Sequence, residues 1–134
     1  MRASVTQGSI HHAVRAKAGP LGTHIDMLHM SPLCMGIAWD GAANVYWTFD
    51  GGNKSIVKYD FKLDHGMGND DHSDGEIFRY VKGQLGYEKK VPSHLFYAPE
   101  SKTLYIADAA NGRIVQNRRV EQPRIQSRCI GAER

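Results

Sequence analysis

From residue 36 onward the chain alternates between short apolar runs and clusters of turn-forming residues. Gly36-Ile37-Ala38-Trp39-Asp40 is an apolar run that ends in a turn. Asn44-Val45-Tyr46-Trp47-Thr48-Phe49 is rich in β-branched and aromatic residues, which suit a pleated, half-buried surface. Asp50-Gly51-Gly52-Asn53 follows as a turn, because glycine tolerates positive φ and Asp and Asn bond back to nearby backbone. Ser55 to Phe61 then has period two, with Val57, Tyr59 and Phe61 on one face and Lys58 and Asp60 on the other. After a polar loop at 62–75, Glu76-Ile77-Phe78-Arg79-Tyr80-Val81 resumes as a strand. Consecutive strands usually lie side by side, so these four segments predict an antiparallel meander.

The pattern recurs. Leu95-Phe96-Tyr97 takes the part of Ile37-Ala38-Trp39, and Leu104-Tyr105-Ile106-Ala107-Asp108 that of Tyr46 to Asp50. Asn111-Gly112-Arg113-Ile114-Val115 matches Asn53 to Val57. Asp50 and Asp108, Asn53 and Asn111, and Ile56 and Ile114 are each 58 positions apart. A four-stranded unit repeating along a chain is the pattern of propeller blades.

The segments Gly36–Asp40, Asn44–Tyr46, Asp50, Asn53 and Ile56, with their second copy through Leu104–Ile114, resemble the NHL repeat of β-propellers. The resemblance covers roughly residues 32–116. It implies an all-β fold: a partial β-propeller of four-stranded antiparallel meander blades with irregular N- and C-terminal tails. The expected divisions are an irregular leader and interblade segment at 1–31, a first blade at 32–90, an incomplete second blade at 91–116 and a basic irregular tail at 117–134. Two features depart from the family. The offset of 58 exceeds the usual blade length of about 40–50, much of the excess lying in the 62–75 loop. After Val115 the sequence is Arg- and Gln-rich with little alternation. A propeller needs about 4–8 blades, so the remaining ones are expected from further sequence or from self-association.

Composition narrows the function classes. The chain has 134 residues, 41% of them apolar and 23% charged, which is globular composition. No apolar run approaches the roughly 20 residues of a membrane-spanning helix, so no membrane span is expected. Two cysteines, Cys34 and Cys129, do not make a disulfide scaffold. Cys34 precedes a strand and reads as a small core residue. The net charge of +3 is uneven: residues 1–25 carry +3, residues 26–112 carry −4 and residues 113–134 carry +4. The positive charge lies on the two ends and not on a folded face, which argues against a nucleic-acid partner.

Two places hold candidate chemistry. The 62–75 loop gathers four aspartates, two histidines and an asparagine between Asp64 and Gly75. Asp70, His72 and Asp74, followed by Gly75, echo the opening of a calcium loop, although His72 stands where an oxygen ligand belongs and Val81 where the bidentate Glu would fall. With His65, the same residues suit zinc better. A long solvated hairpin loop, in which Gly and Asp simply serve turns, also accounts for them. The second place is the expected channel mouth, where His94, aligned with Gly36, and His29 would lie near the turns of Asp50, Asn53, Asp108 and Asn111. The repeated aspartates there read as caps of backbone N–H groups. The resemblance extends to peptidyl-hydroxyglycine amidating lyases, propellers that hold a catalytic metal at this mouth through histidines of several blades. Two readings follow: a module that binds a small molecule or protein at the propeller face, or a part of a metal-dependent lyase or hydrolase using zinc or calcium. The 62–75 loop joins the third and fourth strands and is expected at the opposite end, away from His94.

Overall fold

The alternating segments become seven of the nine strands among the residues that the computed structural model describes, 5–7, 14–17, 25, 28–41, 43–64, 66–67 and 71–118. In chain order the nine are β1 (Val5–Gln7), β2 (Val14–Lys17), β3 (Cys34–Trp39), β4 (Val45–Asp50), β5 (Ser55–Asp60), β6 (Glu76–Tyr80), β7 (Leu95–Ala98), β8 (Thr103–Asp108) and β9 (Arg113–Arg118). A single turn of 3-10 helix, Ala109–Asn111, joins β8 to β9. The fold is all-β. Strands β3 to β6 form a four-stranded antiparallel meander, and β7 to β9 form a three-stranded one.

The two N-terminal strands lie in the segment expected to be irregular. Strand β2 pairs antiparallel with β6, Val14 opposite Arg79 and Lys17 opposite Glu76, and β1 pairs parallel with β9, Val5 opposite Ile114. Each occupies an outer edge of a sheet. An edge presents a row of unpaired N–H and C=O groups, and a chain segment can satisfy them whatever its own periodicity. That is why residues without a clear pattern nonetheless form strands. At the other end, β9 runs on to Arg118, two residues past the boundary expected for the second repeat.

The repeat extends to register and backbone conformation. In the first sheet Phe49 pairs with Ile56 and Asp50 with Ser55; in the second Ala107 pairs with Ile114 and Asp108 with Arg113. The residue that completes each turn is left-handed in both, Lys54 at φ 50° and Gly112 at φ 60°.

The main core lies between the two sheets. Trp47, Phe49, Ile56, Phe78 and Tyr80 of the first pack against Leu104 and Ile106 of the second, with Leu95, Tyr97 and Val115 around them. Phe49, Ile56, Leu104 and Ile106 are fully buried, and each such side chain contributes about 1.5–3 kcal/mol. The other face of the first sheet buries Val57, Tyr59, Phe61 and Ile77 beneath Ile25, with Leu28 and Met30 alongside. Tyr59 and Ser31 share a 2.7 Å hydrogen bond there.

Strand β5 is therefore buried on both faces, and all six of its residues are inaccessible. Lys58 and Asp60, on the face opposite Val57 and Tyr59, do not meet solvent. The Lys58 ammonium lies 5.7 Å from the Trp47 ring centre and 5.5 Å from that of Phe78. Burial pushes its pKa down, opposed by the charges of Asp60 and Asp40 and helped by that of Lys62.

Candidate functional site

The C-terminal ends of β4 and β8 carry the repeated aspartates. Each is completely buried. The Asp50 carboxylate accepts the Asn53 backbone N–H at 3.0 Å and the Asn53 Nδ2 at 2.8 Å. It also pairs with the Arg79 guanidinium from β6, which donates further to Ser55 Oγ at 2.6 Å and to the Met30 carbonyl. Asp108 accepts Asn111 Nδ2 at 2.9 Å, the Gly86 N–H at 2.7 Å and Arg113 Nε at 2.7 Å. Arg113 donates in turn to the Gln84 carbonyl at 2.8 Å.

Asp50 thus caps its turn, as the sequence suggests, whereas Asp108 accepts no backbone N–H of its own turn and takes that of Gly86 from the segment before β7 instead. Each also neutralises an arginine that the sequence reading did not single out. The two arginines come from different positions. Arg113 belongs to the repeat, but its counterpart 58 residues earlier is Ser55. Arg79, opposite Val57 on the neighbouring strand, reaches over and uses that serine as a partner. The signal in the sequence was the unmatched Arg113, which marks a cation missing from the first copy. In both copies the guanidinium joins the turn to the segment entering the sheet, through Met30 in one and Gln84 in the other.

Those contacts build one continuous end of the molecule. The Gly51 and Gly52 N–H groups donate to the carbonyls of Leu33 and Pro32. The Asn53 and Lys54 carbonyls accept the Gly83 N–H, and Lys54 also accepts that of Leu85. The Tyr87 ring lies against Gly51, leaving no room for a side chain there.

His29 and His94 are both exposed at this end. His94 leads into β7, and its carbonyl accepts the Ala107 N–H at 2.8 Å. Its position is set by Gly36, whose φ is +61°. A Cβ at Gly36 would stand 2.9 Å from the Ser93 carbonyl oxygen and 3.0 Å from the His94 Cα. Glycine therefore lets β3 bulge and admits the start of β7 beside it.

The 62–75 loop lies at the opposite end of the strands, between β5 and β6. His65 and Asp70 fall outside the described residues. Asp64 accepts the Gly66 N–H at 2.9 Å, Asp71 the Ser73 N–H at 3.0 Å and Asp74 the Leu63 N–H at 3.4 Å. His72 stacks edge-on against Phe61, with ring centres 5.2 Å apart. Lys62 closes the neck of the loop, 2.8 Å from Asp60 and 2.9 Å from Glu76. Among the described residues, no three His, Cys, Asp or Glu side chains are grouped so as to hold a metal. The described aspartates shape turns in this loop.

Cys34 corrects another expectation. It opens β3 as an exposed residue, outside the core. Local burial pushes its thiol pKa up, hydrogen bonds with Ser31 and Thr48 hold it down, and the Asp50 charge adds to the rise. A thiol held protonated is not an activated nucleophile.

No helix among the described residues is long and apolar enough to cross a membrane. No family model, curated protein or solved structure matches the chain.

Proposed function

We propose that the chain is part of an NHL-like β-propeller that binds a protein or small-molecule ligand at the end bearing the Asp50 and Asp108 turns. The observation that carries this reading is the repeat itself: two meanders with matching register, each ending its second strand on a buried aspartate paired with an arginine. Buried, hydrogen-bonded pairs hold turns in one arrangement, which is what a preformed recognition surface requires. That end offers His29, His94 and Asn111 as exposed polar groups. None of the three belongs to the hydrophobic core, and Asn111 holds Asp108 through its Nδ2.

The test is selection from a displayed random-peptide library on the immobilised full chain. Peptides that bind the wild type, and lose at least tenfold in affinity against a His29→Ala, His94→Ala variant of unchanged stability, are the expected result. Tenfold corresponds to about 1.4 kcal/mol. Binders that ignore this double variant would move the recognition surface elsewhere, and a selection without enrichment would count against a binding module.

A further inference from the structure

The two ends of the stacked sheets expose apolar residues that do not belong to the core. On the outer face of the first sheet Ile37 and Trp39 are 59% and 56% exposed. On the outer face of the second sheet Phe96 is 64% exposed and stacks on Tyr105, with ring centres 6.3 Å apart. The indole N–H of Trp39 donates to the Ala43 carbonyl at 2.8 Å, so this ring is held in place at the surface.

The internal repeat says what each surface is for. Ile37, Trp39 and Tyr46 stand 58 positions before Leu95, Tyr97 and Leu104. Those three pack into the core between the sheets. Likewise Phe96, Tyr105 and Ile114 stand 58 positions after Ala38, Trp47 and Ile56, which form the opposite wall of that core. The chain therefore makes this contact once within itself and leaves part of each half exposed. Ile37 and Trp39 are exposed at one end, beside the portion of that face where Tyr46 packs on Phe61 and Ile25 covers Val57 and Tyr59, and Phe96 is exposed at the other. Apolar bulk is moved and not lost in the second copy. Phe96 replaces Ala38 while Ala107 replaces Phe49, so the exposed wall keeps a large ring, shifted from the second strand to the first.

We infer that two copies of the chain associate head to tail, the Phe96–Tyr105 face of one seating on the Ile37–Trp39 face of the other. The contact repeats the part of the packing of the two sheets that involves the first strand of each meander, where Ile37 and Trp39 take the places of Leu95 and Tyr97. It rests on that packing and not on the proposed ligand-binding end. Because the two halves differ, the interface is heterologous: it closes into a ring if the rotation allows and otherwise extends. A second copy is the occupant because it alone brings both halves of a contact that the chain already makes.

Sedimentation velocity of the full chain, from about 2 to about 200 µM to bracket the affinity of a modest interface, provides the test. The wild type should associate as concentration rises. Trp39→Glu and Phe96→Glu should each be monomeric, since either removes one half of every contact. An equimolar mixture of the two should recover a dimer and stop there, because one wild-type interface is restored and the other carries both glutamates. Both positions are exposed in the single chain, so the urea midpoints should stay within error of the wild type; Trp39→Ser and Phe96→Ser serve if a glutamate variant fails to fold. A wild type that stays monomeric throughout, a mixture that fails to recover the dimer, or dissociation by only one of the two substitutions would overturn the inference.

Discussion

Replacing Asp50 with alanine isolates the energetics of the turn-bearing end. Asp50 is fully buried and takes hydrogen bonds from the Asn53 backbone, the Asn53 amide and Arg79. Its removal strands the Arg79 guanidinium, whose side chain is only 15% exposed. Breaking a buried pair from one side costs about 3–5 kcal/mol, because the remaining charge has lost its partner but not its burial. The second repeat supplies the control. Asp108 is equally buried, but the Arg113 side chain is 32% exposed and can turn to water. Asp108→Ala should therefore cost less, about 1–3 kcal/mol, most of it from the unpaired Gly86 and Asn111 donors. Equilibrium urea denaturation at neutral pH measures both. With a slope of about 2 kcal/mol/M, the Asp50 variant should lose about 2 M in midpoint and the Asp108 variant about 1 M. Adding Arg79→Leu to Asp50→Ala should recover part of the loss, since the stranded charge goes with it. If Asp50→Ala costs no more than Asp108→Ala, or if Arg79→Leu deepens the loss, exposure of the arginine does not govern these pairs and the reasoning fails.

Other consequences are open to measurement. Gly36→Ala should lower stability by about 1–3 kcal/mol, read as a fall in Tm, because the new methyl meets the Ser93–His94 backbone and the position needs a positive φ. Burial pushes Tyr59 and Tyr80 up to about 12, so an absorbance titration should find two of the six tyrosines ionising far later than an exposed phenol. Both are neutral in folded and unfolded chains below about pH 10. The stability they confer is complete there and is lost as pH rises from about 10 towards 12, where the unfolded chain releases its protons first. If the 62–75 loop takes zinc, calorimetric titration should lose the binding on His72→Ala and keep it on His94→Ala. The affinity should also fall with pH, because a histidine must be neutral to ligate.

The sequence by itself determined the strands from β3 to β9 and their pairing. Alternation at Ser55–Phe61, the turn at Asp50–Asn53 and the recurrence at offset 58 are local signals, and local signals suffice where consecutive strands lie side by side. Tertiary structure decided what no window along the chain contains. Lys58 alternates as a solvent-facing residue would, yet it is buried, its ammonium over the Trp47 and Phe78 rings of the neighbouring strands. Val5–Gln7 and Val14–Lys17 have no period of their own and become strands because β9 and β6 present unpaired edges. Asp50 reads as a turn cap, and only the fold brings Arg79, 29 residues later, to its carboxylate. At the candidate site the positions of His94 and Gly36 were legible through the repeat, but their direct contact was not. Spacing along the chain fixes which residues share a face; which faces meet, and so which charges must be paired, depends on how whole sheets bury their apolar surface.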